Sequence, residues 1–188
     1  MQWQLAFLQN TSGVELENTY NTMSASKKAR VDRLKLKEDK QRSLLAELLA
    51  KNLLKENGVS YTAIEADENG KPYLSGSNWF ISLSHSGSAA ACVIGETPVG
   101  IDIQKIKPVK AVLIKRVCNP AEQDYVLGGQ TPETLVENPQ ILTRFYEIWT
   151  TKEALFKKEN SKTPFTKLNA LSVEHKTEKI KDFIVTIV

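Results

Sequence analysis

Trp3, Leu5 and Phe7 fall on one side of an alternating stretch, which predicts a strand over residues 1–7. The period then lengthens. Leu44, Leu45, Leu48, Leu49 and Leu53 share one broad helical face and Asn57-Gly58 supplies a stop, so residues 42–57 read as a helix. Glu68-Asn69-Gly70-Lys71-Pro72 reads as a turn, because Asn-Gly favours positive φ and proline cannot continue a helix. Residues 79–83 and 89–94 read as strands joined by a polar loop, Ser84-His85-Ser86-Gly87-Ser88, and 99–103 as a strand after a turn at 95–98. Past Pro108 the pattern predicts a helix at 111–117, a loop at 128–139, an amphipathic helix at 143–160 and short strands at 170–174 and 183–188. No repeat of about 20–50 residues is present. Hairpin-like strands with helices between their groups place the chain in the α+β class.

With 41% hydrophobic and 25% charged residues, the 188-residue chain lies far from the composition of disorder and is expected to fold. Its longest apolar run, near 89–94, is much shorter than the roughly 18 residues a membrane span needs. The first residues lack a basic stretch followed by an apolar one, so no secretory signal is expected and the protein is placed in the cytoplasm. Cys92 and Cys118 sit in apolar surroundings and read as core thiols. The net charge of +3 is mild, but residues 26–42 hold eight basic side chains against three acidic ones. That segment is either a solvated helical face or a seat for a polyanion, and it contains no aromatic residue to stack on a nucleic-acid base.

Three places break local rules. In 99–104, Val99, Ile101 and Ile103 face one way and Gly100, Asp102 and Gln104 the other. Aspartate is depleted in strands and costly to bury alone, so Asp102 either faces solvent or serves chemistry, and Gly100 leaves room for something to approach. In helix 143–160, Phe145, Ile148, Trp149, Leu155 and Phe156 form an apolar arc with Lys152 near its middle. Either the Lys152 stem runs along apolar surface to water, or Lys152, Glu153 and Lys157 line a cleft for an anion and its metal. Glu153 and Lys157, four apart, also suit an ordinary helical ion pair. In the 84–87 loop, small residues leave backbone N–H groups open to a phosphate, and His85 can donate to its oxygens.

In order and spacing, Gly70-Lys71-Pro72, Ile81-Ser82-Leu83-Ser84-His85-Ser86, Val99-Gly100-Ile101-Asp102-Ile103 and Trp149-Thr150-Thr151-Lys152-Glu153-Ala154-Leu155-Phe156-Lys157 resemble the 4'-phosphopantetheinyl transferases of the surfactin-synthetase-activating type. The similarity runs over roughly residues 30–157, and its specific part is the pair of Gly-x-Asp and Trp-x-x-Lys-Glu-x-x-x-Lys elements. The resemblance implies two similar α+β lobes related by a pseudo-twofold, with coenzyme A and magnesium between them. Residues 1–98 are expected to carry the nucleotide-binding segment, and 99–188 the metal and pyrophosphate site. It further implies a monomer that moves the phosphopantetheine arm of coenzyme A to a serine of an acyl or peptidyl carrier protein, releasing adenosine 3',5'-bisphosphate, with neither nucleic acid nor membrane as partner.

Carried over by position, Asp102 and Glu153 are the implied magnesium ligands, and Gln104 is implied in or next to the coordination sphere as a weaker amide-oxygen or water-bridging ligand. His85 and Lys157 are implied to contact the pyrophosphate, with Ser84 and Lys152 close by. Lys71, next to Pro72, and Arg42 would hold the nucleotide and its 3'-phosphate, aided by Lys27 or Lys28. Glu122 matches another acidic position near the metal, and either it or Glu153 is the implied base for the serine, directly or through a water. Many relatives carry Glu where this chain has Gln104, which implies weaker magnesium binding and a use for manganese. Residues 158–163 lack the glycines often found there and the tail is short, implying a trimmed second lobe or an altered carrier-contacting surface. The alternative is a non-catalytic module that binds a phosphorylated ligand or acidic partner; Gln104 favours it, and the joint presence of Asp102, Glu153, Lys157 and His85 opposes it.

Overall fold

Strand β5 (Ala89–Gly95) has no polar side chain because both of its faces are covered. Ala90, Cys92 and Ile94 pack with Leu45, Leu49, Leu53 and Leu54 of helix α3 (Lys37–Glu56), while Ala89, Ala91 and Val93 enter a second cluster with Ile101, Ile103, Phe183, Val185 and Ile187. The computed structural model in which these contacts are seen describes residues 1–159 and 163–188.

The remaining elements up to β5 are strand β1 (Gln2–Phe7), helices α1 (Gly13–Asn21) and α2 (Ala25–Asp32), the hairpin β2 (Ala63–Ala66) and β3 (Pro72–Ser75), and β4 (Phe80–Ser86). After β5 come β6 (Ile101–Lys105), β7 (Val109–Lys110), α4 (Ala111–Val117), α5 (Pro120–Leu127), β8 (Leu135–Val136), α6 (Pro139–Glu159), β9 (Lys176–Ile180) and β10 (Phe183–Ile187). The two three-stranded sheets run β1-β5-β4 and β6-β10-β9, antiparallel throughout. Each puts its last strand in the centre, and α3 and α6 are the long helices packed against them. The structure is therefore a mixed α+β fold, as the pattern predicts.

The two sheets meet where β6 passes β4. Gly100 and Val188 exchange backbone hydrogen bonds, and β6 continues alongside β10, leaving the N–H groups of Ile101, Ile103 and Lys105 on its free edge. Ser82, Ser84 and Ser86, all on one face of β4, accept them at 3.2, 3.3 and 3.0 Å. Hydroxyls thus satisfy an edge that would otherwise carry unpaired donors. Gly100 leaves room not for a ligand but for α6: a Cβ there would overlap the carbonyl of Ala154.

Several boundaries differ from expectation. Ser84, His85 and Ser86 belong to β4 and pair with Ala91, Ala90 and Ala89, so their backbone is strand and not an open phosphate loop. The serines read as loop residues because the edge they satisfy belongs to a strand distant in sequence. Helix α3 begins at Lys37, five residues earlier than the leucine face suggested, since its first turns are solvated and polar. Helix α6 begins at Pro139, where Asn138 Oδ1 accepts from the N–H groups of Gln140 and Ile141. The expected strand at 170–174 is a 3-10 turn over Ala170–Ser172, capped by the Asn169 side chain, and the strand that pairs with β10 is β9. Residues 160–162, within the expected glycine-poor stretch and the end of helix 143–160, lie outside the described residues. No helix among the described residues is long and apolar enough to cross a membrane. Both cysteines are free and buried; burial pushes the Cys118 thiol up to about 12 and raises Cys92 further.

Candidate active site

A cleft of about 410 Å³ opens between α2, the β2–β3 turn, β4, β6 and α6. Gly70, at φ +84°, forms the turn that brings Pro72 to its wall, and its α-carbon faces the Arg30 guanidinium. Period-two geometry sends Asp102 and Gln104 of β6 to the cleft while Ile101 and Ile103 enter the core. Glu153 and Lys157, one helical turn apart on α6, face the same space, and His85 projects into it from β4.

Asp102 is the centre of this arrangement. It is only 2% exposed, and its Oδ1 accepts from Ser84 Oγ at 2.6 Å and from Lys157 Nζ at 2.7 Å. Gln104 Nε2 approaches Oδ2 at 3.3 Å, and Gln104 Oε1 accepts from Ser86 Oγ at 3.2 Å. Lys157 also donates to the carbonyl of Ile101 at 3.1 Å, so it pairs with β6 across the cleft and not with Glu153 along the helix. Glu153 makes no hydrogen bond among the described residues; burial and the nearby Asp102 charge raise its pKa, and Lys157 only partly opposes this. Desolvation, then the Arg42 and Lys157 charges, hold His85 below its usual value, so its ring is neutral at pH 7 and able to donate one N–H.

Two expected residues lie elsewhere. Lys152 points about 100° around α6 from Glu153, is fully buried, pairs with Glu122 Oε2 at 2.6 Å and donates to the carbonyl of Val117 at 2.8 Å. Glu122 is also fully buried and accepts from the N–H groups of Asn119 and Ala170. Lys152, expected close to the pyrophosphate, and Glu122, expected near the metal or as the base, are instead enclosed together away from the cleft: they form a pair that ties α5, α6 and the 170 turn together. Neither of the two earlier readings of Lys152 describes it, since its ammonium reaches neither water nor the cleft.

Arg42 is held by the Gly87 carbonyl and by Asp39, with its Nε buried and without a partner. Lys71 donates to the carbonyl of Lys158 at 3.2 Å, bridging the β2–β3 turn to α6. Lys27 is paired with Glu47, and Lys28 donates to the carbonyl of Asn21. The most open cation of the basic segment at the cleft is Arg30, which was counted in that segment but not singled out. Glu47, 4% exposed on the leucine face of α3 and lining the cleft, was also missed. The anomaly that drew attention to Lys152, a charge on an apolar helical face, marks Glu47 equally well.

Among the described residues no group of three or more His, Cys, Asp or Glu side chains could hold a metal ion. The donor set nevertheless suits a magnesium ion that takes two carboxylates and completes its shell with phosphate oxygens and water. Asp102 and Glu153 are close enough to raise Glu153, and Oδ2 of Asp102 carries one long hydrogen bond. A divalent cation there would relieve that repulsion.

Residues 98–184 match the family model described as the 4'-phosphopantetheinyl transferase superfamily. The chain is 31% identical over 150 residues to a 4'-phosphopantetheinyl transferase of Bacillus subtilis, covering 78% of this chain and 64% of that protein. It is 28% identical over 149 residues to 4'-phosphopantetheinyl transferase Sfp of Bacillus subtilis strain 168 (77% and 63% covered). It is 29% identical over 147 residues to psf-1 of Bacillus pumilus, also a 4'-phosphopantetheinyl transferase (76% and 60% covered). The chain thus spans a little under two thirds of the length of these curated relatives, and the matched stretch holds Asp102, Gln104, Glu153 and Lys157. Over residues 98–184 the chain is similar to the 4'-phosphopantetheinyl transferase superfamily, and this stretch carries the Asp102, Glu153 and Lys157 side chains of the cleft.

Proposed function

We propose that this chain transfers the 4'-phosphopantetheine arm of coenzyme A to a serine hydroxyl of an acyl or peptidyl carrier protein, using magnesium and releasing adenosine 3',5'-bisphosphate. The observation that carries this reading is the convergence of Asp102, Glu153, Lys157 and His85, from three separate elements, on one cleft rimmed by Arg30. Residues 1–98 and 99–188 act as two lobes related by an approximate twofold in this reading; their matching strand orders support the division. The protein works as a monomer.

Asp102 and Glu153 would hold the cation, which when bound offsets negative charge on the departing bisphosphate. Lys157 and the His85 N–H face the same cleft and meet the pyrophosphate oxygens. Arg30, at the rim of the cleft, faces the nucleotide phosphates. Glu153 is the base: it makes no hydrogen bond among the described residues and faces the cleft with a free carboxylate oxygen. As the serine oxygen bonds to the phosphorus that bears pantetheine, its proton passes to Glu153 and the bond to the bridging oxygen of the pyrophosphate breaks. Glu122, saturated and enclosed, is left out of this step. Gln104 acts as a donor to Asp102 and not as a ligand, because its amide oxygen is taken by Ser86.

Calorimetric titration with coenzyme A and dephospho-coenzyme A tests the nucleotide side of this reading. A charge-assisted contact to the 3'-phosphate is worth about 1.5–3 kcal/mol, so the shorter ligand should bind roughly tenfold to over a hundredfold more weakly. Arg30→Ala should shrink that gap. Equal affinity for the two ligands, or no binding of coenzyme A at all, would contradict the proposal.

A further inference from the structure

Of the three β4 serines that satisfy the free edge of β6, Ser84 alone also donates to a carboxylate. Ser82 Oγ accepts the Ile101 N–H at 3.2 Å and touches no carboxylate. Ser84 Oγ accepts the Ile103 N–H at 3.3 Å and also donates to Asp102 Oδ1 at 2.6 Å, in a buried setting where Ser84 is 7% exposed. Lys157 donates to that same oxygen at 2.7 Å. Oδ1 therefore has two short charge-assisted bonds, while Oδ2 has only the 3.3 Å approach of Gln104. A carboxylate held this way by one oxygen has a fixed plane and offers the other oxygen outward.

We infer that Ser84 is the positioning residue for Asp102: its hydroxyl, locked by the Ile103 N–H, fixes Oδ1 so that Oδ2 is presented to a divalent cation in the cleft. The inference rests on the proposed function for the cation but assigns Ser84 to the carboxylate, not to a phosphate of the ligand. A free serine hydroxyl on a flexible loop could adapt to any ligand. Ser84 cannot, because turning its hydroxyl away would leave Asp102 Oδ1 short of a donor beside the buried β4–β6 junction.

The test is manganese binding in the presence of coenzyme A, read by electron paramagnetic resonance, with thermal unfolding recorded in parallel. Loss of an outer-shell hydrogen bond commonly weakens a metal site by about 10- to 100-fold. Ser84→Ala should weaken manganese binding in that range, whereas Ser82→Ala, which removes an equivalent junction acceptor, should leave it near wild type while lowering the melting temperature comparably. Ser84→Thr and Ser84→Val bring nearly equal bulk and differ in the hydroxyl, so Thr should bind manganese more tightly than Val even if both unfold earlier. Unchanged manganese affinity in Ser84→Ala, equal weakening in Ser82→Ala, or no difference between Thr and Val would overturn the positioning role. Wild-type protein that binds coenzyme A but no manganese would overturn the cation reading itself, a different pattern from the first three.

Discussion

Glu153→Gln is expected to lose transfer by about a thousandfold or more while making the protein more stable. Under the proposed function the loss follows from removing both a cation ligand and the base; general-base contributions alone reach about 10²–10⁴. The gain follows from the raised carboxyl of Glu153, whose causes are burial first and the Asp102 charge second. A folded-state pKa above the unfolded value means the folded protein holds that proton more tightly. Stability from this group is complete below the unfolded carboxylate value, near 4.3, and falls as pH rises through the shifted value. At pH 7–8 ionised Glu153 therefore opposes folding, and the neutral amide removes the penalty. The melting temperature of the variant should therefore lie above wild type at pH 7–8. The two proteins should converge in stability toward pH 4. Thermal melts across pH with a parallel transfer assay check both halves; a variant that melts earlier at pH 8, or keeps its activity, contradicts the placement of Glu153.

Lys152→Met should be among the most destabilising single changes in the chain. Removing one partner of a buried ion pair leaves an uncompensated charge and costs about 3–5 kcal/mol. Here Glu122 would remain fully enclosed, still accepting from Asn119 and Ala170 but without its cation. Changing both partners, Lys152→Met with Glu122→Gln, should recover most of that loss, since a neutral pair of similar volume is tolerated. Urea unfolding of the three variants measures this. Were Lys152 a pyrophosphate contact, Lys152→Met would instead keep its stability and raise KM for coenzyme A.

What the sequence made legible follows the range of the interactions involved. The alternation of Val99, Ile101 and Ile103 correctly assigned the two faces of β6, because period two is a local property. Helix α4 was read to its residue limits for the same reason. Asp102 and Lys152 were both recognised as misplaced by local rules, yet the rule could not say why. Asp102 belongs to the cleft; Lys152 answers a glutamate 30 residues earlier in the chain. Both are buried charges with partners, and only tertiary placement separates a working pair from a structural one. The Ser-His-Ser segment shows the opposite failure. Its serines looked like loop because their acceptor role is set by β6, a strand of the other sheet. Helices α1 and α5 went unread although each begins with a reciprocal capping box, Ser12 with Glu15 and Asn119 with Glu122, a signal visible in the residues alone. Gly100 was marked as an approach point, and the approaching group is the α6 backbone at Ala154.

The most direct test of the central claim is an intact-mass measurement on a panel of apo acyl and peptidyl carrier proteins incubated with this protein, coenzyme A and magnesium. The account predicts that at least one carrier gains a single phosphopantetheine arm on serine, that adenosine 3',5'-bisphosphate appears in equal amount, and that Asp102→Ala, still folded, produces neither. Carriers left unmodified by wild-type protein at saturating coenzyme A and metal, or modified equally well by Asp102→Ala, would contradict it.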